Sequence, residues 1–140
     1  SSIAPLVTGR TVVKVRDEER RVGRWRKIAR EAAMQSNRPD IPIVQEIQRF
    51  DDFLMTLAPG PITLLLMPWE EGTRPVKDVL RSSPAAERIV VLIGPEGGFS
   101  LAEADLAREQ GFHAVSLGPF ILRTETAAVA ALSMIRYELT

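Results

Sequence analysis

The pattern of apolar and polar positions along the chain predicts an α/β domain. Uniformly apolar runs that are too short for buried helices are typical of parallel strands covered on both faces. Stretches with apolar residues at helical spacing alternate with these runs. The expected strands occupy 3–7, 11–15, 41–47, 62–67, 89–93 and 112–117. The expected helices cover about 17–36, 50–57, 76–81, 101–110 and 125–138. Ser100 and Glu103 have the form of a capping box for the fourth helix, Gly111 would terminate that helix, and Thr124 can cap the fifth. We therefore expect a mostly parallel sheet with helices on both faces.

Glycine-containing loops follow two of the buried runs, and each loop leads into a predicted helix. They span residues 94–98 and 118–124, and a third loop follows Met67. The carboxyl ends of parallel strands meet at one edge of a sheet, where α/β proteins bind ligands. The sequence therefore predicts a ligand crevice between these loops.

Composition narrows the class of protein and of site. The chain has 140 residues, of which 45% are hydrophobic and 26% are charged, so one domain with a sizeable core is expected. It contains no cysteine and one histidine, which excludes disulfides and thiolate metal sites and makes us expect no metal. No apolar run approaches the roughly 18 residues of a membrane span, so we expect a cytoplasmic protein with no membrane partner.

The net charge is zero, but the basic residues are unevenly placed. Ten of them fall in the segment that includes the first predicted helix: Arg10, Lys14, Arg16, Arg20, Arg21, Arg24, Arg26, Lys27, Arg30 and Arg38. Such a cluster predicts either a basic binding face or a solvated helix surface, and the sequence favours neither.

The first glycine loop, within GPEGGFS, does not have the pattern of a phosphate site. The lysine of GxxxxGK[ST] is absent, GxGxxG is not matched, and the Glu96 carboxylate would repel a phosphate. A neutral or cationic ligand with many hydrogen-bonding groups fits this loop. A tight turn without any ligand remains equally open.

The second loop, within LGPFILRTETA, places charged side chains between a buried strand and a buried helix. Arg123 keeps its charge at any ordinary pH, so it needs a partner or a ligand. Glu125 is one candidate partner; alternatively, Arg123 holds an anionic or polarised group of a substrate. Trp69, at the end of the central strand, either lines the crevice, stacks on a base or serves only as structure.

Three longer motifs carry a family resemblance: EAAMQSNRPDIPIV, IGPEGGFS and SLGPFILRTETAAVAAL. Together they resemble the ribosomal RNA small-subunit methyltransferase E family of the SPOUT superfamily. The resemblance implies methyl transfer from S-adenosylmethionine to N3 of a uridine in 16S ribosomal RNA of the small subunit. It also implies a homodimer and a C-terminal trefoil knot. A non-catalytic RNA-binding or ribosome-assembly module of the same fold is the alternative function.

Matching the motifs residue by residue assigns a role to each site residue. The resemblance implies that three loops bind the cofactor, through Leu66, Met67, Pro68, Ile93, Gly94, Pro95, Glu96, Gly97, Gly98, Leu117, Gly118, Ile121, Leu122, Arg123 and Thr126. It implies RNA contacts by Arg10, Gln35, Asn37 and Arg38. The catalytic candidates are Arg123, to stabilise charge on the uracil oxygens, and Glu125, to orient Arg123 or accept the N3 proton.

The chain departs from the family pattern at two positions and at its beginning. Phe120 replaces a basic residue, and Met34 replaces a glutamate. The family's N-terminal RNA-binding β-barrel and the first helix of its catalytic domain have no counterpart here. We therefore expect residues 1–140 to be the SPOUT catalytic domain, truncated at its N-terminus.

Overall fold

The computed structural model describes residues 1–10, 17–58, 60–71 and 73–140. Its strands are β1 (Ser2–Ile3), β2 (Leu6–Val7), β3 (Ile43–Val44), β4 (Gln48–Arg49), β5 (Thr63–Pro68), β6 (Arg74–Pro75), β7 (Arg88–Val91) and β8 (His113–Ser116). Its helices are α1 (Glu18–Gln35), α2 (Phe50–Thr56), α3 (Val76–Arg81), α4 (Leu101–Glu109) and α5 (Thr124–Leu139). The chain divides into two units, Ser1–Phe53 and Leu54–Thr140. The predicted strand at 11–15 lies outside the described residues.

The first unit pairs its short strands in parallel. β1 pairs with β3, and β2 pairs with β4. The predicted strand at 3–7 is therefore divided in two, whereas the one at 41–47 contains only β3, and β4 follows it. Pro5 lies at the division and has no N–H to donate, which limits the ladder on its side. Its carbonyl still accepts a hydrogen bond from the Gln48 N–H at 3.1 Å. α1 contacts β3 and ends before Asn37, whose φ of 52° is the left-handed conformation common after helices.

The second unit is built on a four-stranded parallel sheet with the order β6-β8-β5-β7. β5 is central, and Leu64 through Met67 are buried in it, as the uniformly apolar pattern predicts. β6 was not predicted. It contains only Arg74 and Pro75, and both are exposed, so no apolar run marks it. Its position at the sheet edge suits a proline, which lacks a ladder donor. The predicted mostly parallel α/β architecture is therefore confirmed.

Helices α3 and α5 pack against this sheet through one apolar cluster. The cluster consists of Leu64, Leu66, Val76, Val79, Leu80, Val115 and Ile135. Burying each leucine or valine stabilises the fold by about 1.5–3 kcal/mol. The Arg81 guanidinium and the Glu138 carboxylate form an ion pair between α3 and α5, and this pair raises the pKa of Arg81. α5 is thus fixed to the sheet near its C-terminal end.

The ends of α4 follow the sequence signals. Ser100 and Glu103 form the predicted capping box: the Glu103 N–H donates to Ser100 Oγ at 3.1 Å, and the Ser100 N–H donates to Glu103 Oε1 at 2.8 Å. Gly111, with a φ of 98°, turns the chain after the helix, as predicted. α4 therefore leaves the first glycine loop in a fixed direction.

Candidate functional site

The carboxyl ends of β5, β7 and β8 meet at one edge of the four-stranded sheet. β5 pairs in parallel with both neighbours, with Leu66 opposite Val91 and Pro68 opposite Val115. The backbone pairing continues past the strand ends, because the Leu92 N–H donates to Leu66 O at 2.9 Å and the Trp69 N–H donates to Val115 O at 3.0 Å. The three predicted loops therefore begin side by side, as the sequence indicates.

The first glycine loop is a tight turn in which one glycine has a positive φ and another is closely packed. The Gly98 N–H donates to Pro95 O at 2.8 Å, and Gly98 has a φ of 71°. At Gly94, a Cβ atom would lie 3.3 Å from the ring of the buried Phe99. Glu96 and Gly97 are exposed at the tip of the turn. The Gly98–Pro95 hydrogen bond and packing against Phe99 thus hold the loop, and the Glu96 carboxylate faces solvent.

A hydrogen bond joins the first glycine loop to the second. Thr124 Oγ1 donates to the Gly94 carbonyl oxygen over 3.0 Å. The expectation that Thr124 caps α5 is wrong: the helix begins at Thr124, and Arg123 occupies the cap position without a side-chain cap bond. The threonine hydroxyl is committed to the neighbouring loop instead. This bond therefore connects the two glycine loops of the predicted crevice.

A cavity of about 150 Å³ lies between the loop after β5 and the loop after β8. Its walls are Pro68, Trp69, Glu70, Val115, Ser116, Leu117, Gly118, Pro119, Phe120, Ile121, Leu122 and Ala127. Gly118 shapes the second loop with a φ of 135°, and its N–H donates to Ser116 Oγ at 3.2 Å. Five of the predicted cofactor residues are therefore brought together here: Pro68, Leu117, Gly118, Ile121 and Leu122.

The other predicted cofactor residues do not line this cavity. Leu66 and Met67 are fully buried in β5, so their side chains belong to the core. Ile93 through Gly98 form the first glycine loop, which the Thr124 bond joins to the second at Gly94. Arg123 and Thr126 are exposed at the start of α5. The predicted cofactor residues therefore fall into two groups: five line the cavity wall, and the others lie around it.

The two catalytic candidates lie at the N-terminal end of α5. Arg123 and Glu125 are both exposed, and no ion pair joins them in the described part of the chain. Glu125 lies in the first turn of the helix, where a negative charge interacts favourably with the helix dipole. The structure therefore does not show Glu125 as the ion-pair partner of Arg123.

Seven residues of the cavity wall were not among the predicted cofactor residues: Trp69, Glu70, Val115, Ser116, Pro119, Phe120 and Ala127. The sequence left the role of Trp69 open and gave Glu70 and Phe120 no cofactor role. Trp69 is half-buried, and the Arg108 guanidinium lies over its ring, with Cζ 5.9 Å from the centroid. Position directly after a buried strand is the one sequence signal that marks Trp69 and Glu70. Phe120 is 81% exposed beside the cavity.

The predicted RNA-contacting residues lie in the first unit, where Arg10, Gln35, Asn37 and Arg38 are all exposed. Arg38 Nη2 donates to Asp40 Oδ2 at 3.2 Å and to Ser1 Oγ at 3.2 Å. This guanidinium, through its hydrogen bond and its charge, lowers the pKa of the Asp40 carboxyl. α1 presents further exposed arginines at Arg20, Arg24 and Arg30. Lys14 and Arg16 lie outside the described residues.

Two further features of the described ranges concern metal ligands and membrane-spanning helices. Within residues 1–10, 17–58, 60–71 and 73–140, no three His, Asp or Glu side chains are grouped as metal ligands would be. In the same ranges, no helix has the length and apolarity needed to cross a membrane.

The sequence is similar to known proteins along almost its whole length. Residues 1–136 match a family described as the RNA methyltransferase domain. The chain is 35% identical over 141 residues to the ribosomal RNA small subunit methyltransferase E of Bacillus subtilis (strain 168). It is 38% identical over 136 residues to the protein of the same name from Synechocystis sp.. These alignments cover 96% of this chain but 54% and 44% of the relatives, so the chain spans about half their length.

Solved structures extend this similarity to three dimensions. One is the crystal structure of a ribosomal RNA small subunit methyltransferase E from Neisseria gonorrhoeae bound to S-adenosyl methionine, with a TM-score of 0.87 and 34% identity. Another is a Legionella pneumophila protein in complex with the bound cofactor SAM, with a TM-score of 0.87 and 33% identity. Each match covers 98% of this chain, and 54% and 55% of the respective solved chains.

Proposed function

Because this chain belongs to the family of RNA methyltransferase domains, we propose that it transfers a methyl group from S-adenosylmethionine to N3 of a uridine in 16S ribosomal RNA of the small subunit. One observation carries the proposal. The cavity at the carboxyl edge of the sheet joins residues of two predicted cofactor loops, in a chain similar over 98% of its length to a protein solved with this cofactor. The cofactor supplies a methyl group activated by a positively charged sulfur.

The loops at this edge fit such a ligand. S-adenosylmethionine has no phosphate, and neither glycine loop contains the lysine of a phosphate site. The exposed Glu96 carboxylate offers a negative charge to a cationic ligand. Pro68, Leu117, Gly118, Ile121 and Leu122 would hold the cofactor in the cavity wall. Leu66, Met67, Ile93, Gly94, Pro95, Gly97, Gly98, Arg123 and Thr126 would complete its surroundings from the strand ends and loops.

Arg123 and Glu125 are the proposed catalytic residues. Methyl transfer to N3 requires that the uracil lose its N3 proton, and negative charge then develops on the uracil oxygens. An arginine aimed at those oxygens stabilises that charge. The exposure of Arg123 and the absence of a mutual ion pair in the described residues leave its guanidinium available to a substrate. Glu125, which is also exposed, would accept the proton or orient Arg123 once RNA is bound.

The first unit supplies the proposed RNA contacts. Arg10, Gln35, Asn37 and Arg38 would meet the RNA together with the exposed arginines of α1. Contacts between arginine and phosphate release counterions, so affinity should fall steeply as salt rises. The distribution of charge supports this role, because basic residues concentrate in this unit while the whole chain is neutral.

The apolar surface of α5 supports a homodimer. Val129, Leu132 and Tyr137 are 67%, 62% and 84% exposed, so much of this apolar helix has no partner within the described residues. A second copy of the chain would cover it. We further propose that residues 1–140 belong to one SPOUT catalytic domain, that its C-terminal part forms a trefoil knot, and that it acts in the cytoplasm on ribosomal subunits.

Two measurements test the function. Calorimetric titration of the protein with S-adenosylmethionine should give saturable binding. Small ribosomal subunits that lack the modification should then acquire radioactive methyl groups from the cofactor, and digestion should yield N3-methyluridine. Cofactor binding without methyl transfer to the subunits would instead support a non-catalytic module. Absence of cofactor binding would overturn the proposed function.

A further inference from the structure

Trp69 occupies a fixed place in the cavity wall. Its backbone N–H donates to Val115 O at 3.0 Å, which extends the β5–β8 ladder by one residue. The indole is half-buried and lines the 150 Å³ cavity. The backbone bond fixes the point at which this large planar side chain leaves the end of β5, beside the cavity. Trp69 is therefore positioned as a wall of the site.

Arg108 covers one side of the indole ring. It lies in the last turn of α4, and its Cζ atom lies 5.9 Å from the ring centroid, within the range of a cation–π contact. Its Nη1 atom lies 3.7 Å from Asp105 Oδ1, one turn earlier on the same helix. Arg108 is not among the residues that line the cavity. Helix α4, fixed at its other end by the Ser100 capping box, thus holds the ring from outside.

The residues around Trp69 indicate which ligand would meet the ring. Five of its neighbours in the wall are the proposed cofactor residues Pro68, Leu117, Gly118, Ile121 and Leu122. The cofactor contains one planar aromatic group, its adenine. We propose that the adenine ring of the cofactor stacks on Trp69, and that Arg108 is a positioning residue that holds the indole for this contact. This inference rests on the proposed function, since it specifies how the same site recognises its cofactor.

The chain allows a direct optical test, because it contains two tryptophans. Trp25, in the first unit, lies outside the cavity wall, so Trp25→Phe leaves Trp69 as the single indole emitter. Titration of this variant with S-adenosylmethionine should quench or shift its emission. Its cofactor affinity, measured by calorimetry, should equal that of the unsubstituted chain. An unchanged emission at saturating cofactor would overturn the stacking proposal.

Substitution of Trp69 measures the contact. Trp69→Leu should weaken S-adenosylmethionine binding by about 5- to 150-fold, the range that corresponds to ~1–3 kcal/mol for aromatic stacking on a base. Binding of 5′-methylthioadenosine, which keeps the adenine and lacks the amino-acid part, should fall by the same factor. Trp69→Phe should retain most of the affinity, which shows that a loss in the leucine variant does not arise from misfolding.

Arg108→Met tests the positioning role, since it keeps the length of the side chain and removes its charge. We expect a two- to fivefold loss of affinity, corresponding to ~0.5–1 kcal/mol for an exposed cation–π contact, with a change in Trp69 emission before any ligand is added. Equal cofactor affinity in Trp69→Leu and the unsubstituted chain would overturn the inference. So would a Trp69→Leu defect confined to the KM for ribosomal subunits, which would place the ring against RNA. Failure of the unsubstituted chain to bind the cofactor would refute the proposed function itself.

Discussion

The two units each contain a cavity, and the larger one is not the candidate site. The first unit has a depression of about 590 Å³ between α1 and the short strands, lined by Trp25, Ile28, Ala29 and Val44 among others. The cavity of the second unit is about 150 Å³. The larger one has two polar side chains, and both are engaged: Ser36 Oγ donates to Ala32 O at 2.8 Å, and Arg38 pairs with Asp40.

The smaller cavity differs in what surrounds it. It lies at the carboxyl ends of parallel strands, beside a loop whose Gly118 has a positive φ of 135°. Loops of this kind present backbone N–H and C=O groups that are not used in a ladder, whereas an apolar depression offers little beyond contact area. The comparison shows that topology and available polar groups identify this site better than volume does.

The largest expected effect separates chemistry from binding within the second unit. Arg123→Ala should lower the rate of methyl transfer by about 10²- to 10³-fold, the usual cost of removing one group that stabilises transition-state charge. Cofactor affinity should fall far less than the rate, since Arg123 lies outside the cavity wall and would only border the cofactor. Single-turnover transfer to small subunits and calorimetry measure the two quantities. Arg136→Ala, at the other end of α5, is the matched control and should behave as the unsubstituted chain does.

A matched pair of cavity-filling substitutions tests the comparison itself. Ala127 lines the smaller cavity and Ala29 lines the larger one. Ala127→Phe should weaken S-adenosylmethionine binding by about 5- to 150-fold, which corresponds to ~1–3 kcal/mol of overpacking. Ala29→Phe should leave the affinity unchanged. The comparison would be wrong if calorimetry gave the opposite order.

Substitution of two glycines compares a closely packed loop with an open helix surface. Gly94→Ala places a Cβ atom 3.3 Å from the Phe99 ring and should lower the free energy of unfolding by about 1–3 kcal/mol. At Gly23, inside α1, a Cβ atom meets nothing within 4 Å, so Gly23→Ala should raise it by about 0.5–1 kcal/mol. Chemical denaturation curves give both values. Equal destabilisation by both substitutions would show that the close contact at Gly94 has no energetic weight.

The bond between the two loops should have a moderate effect. Thr124→Val keeps the shape of the side chain and removes the donor to Gly94 O, at a cost of about 0.5–1.5 kcal/mol in unfolding free energy. Cofactor affinity should fall as well, because the first loop loses its tie to the second. Thr140→Val removes a comparable hydroxyl bond, to Arg136 O at the chain's exposed end, and should leave affinity unchanged. A Thr124→Val variant with unaltered affinity would argue against this tie.

The smallest expected effect is a titration in the first unit. The Arg38 guanidinium lowers the pKa of Asp40 in the folded chain, so the pair stabilises the fold above the unfolded carboxyl's pKa, and this contribution is lost as pH falls through the folded pKa. Arg38→Ala should raise the pKa of Asp40 towards its ordinary value. An NMR titration of the Asp40 carboxyl measures the shift. Because Asp40 is exposed, overall stability should change little.

Local sequence patterns predicted what depends on local structure. The run around Leu65 identified the buried strand β5, and the Ser100–Glu103 pair identified the start of α4, since burial on both faces and capping leave direct signals. The run around Val90 identified a strand, but β7 is half-buried at the sheet edge, so the prediction that it is buried was wrong. β6 was missed because two exposed residues at a sheet edge leave no apolar signal.

Other wrong or missing predictions concern partners distant in sequence. Thr124 has the residue type of a helix cap, but its hydroxyl donates to Gly94, 30 positions earlier. Arg108 has the pattern of an ordinary exposed helix residue, and nothing in its neighbourhood along the chain indicates Trp69. The family motifs did not separate Leu66 and Met67, whose side chains fill the core, from Pro68, which reaches the cavity.

The bond from Thr124 to Gly94 also has a consequence for the order of folding. It closes a segment of the chain that contains α4 and β8. Contacts that close long segments are made after the entropy of closure has been overcome, and they form late. We therefore expect the crevice to be among the last parts of the second unit to assemble. A ligand that requires it would bind the finished fold and would slow unfolding without accelerating folding.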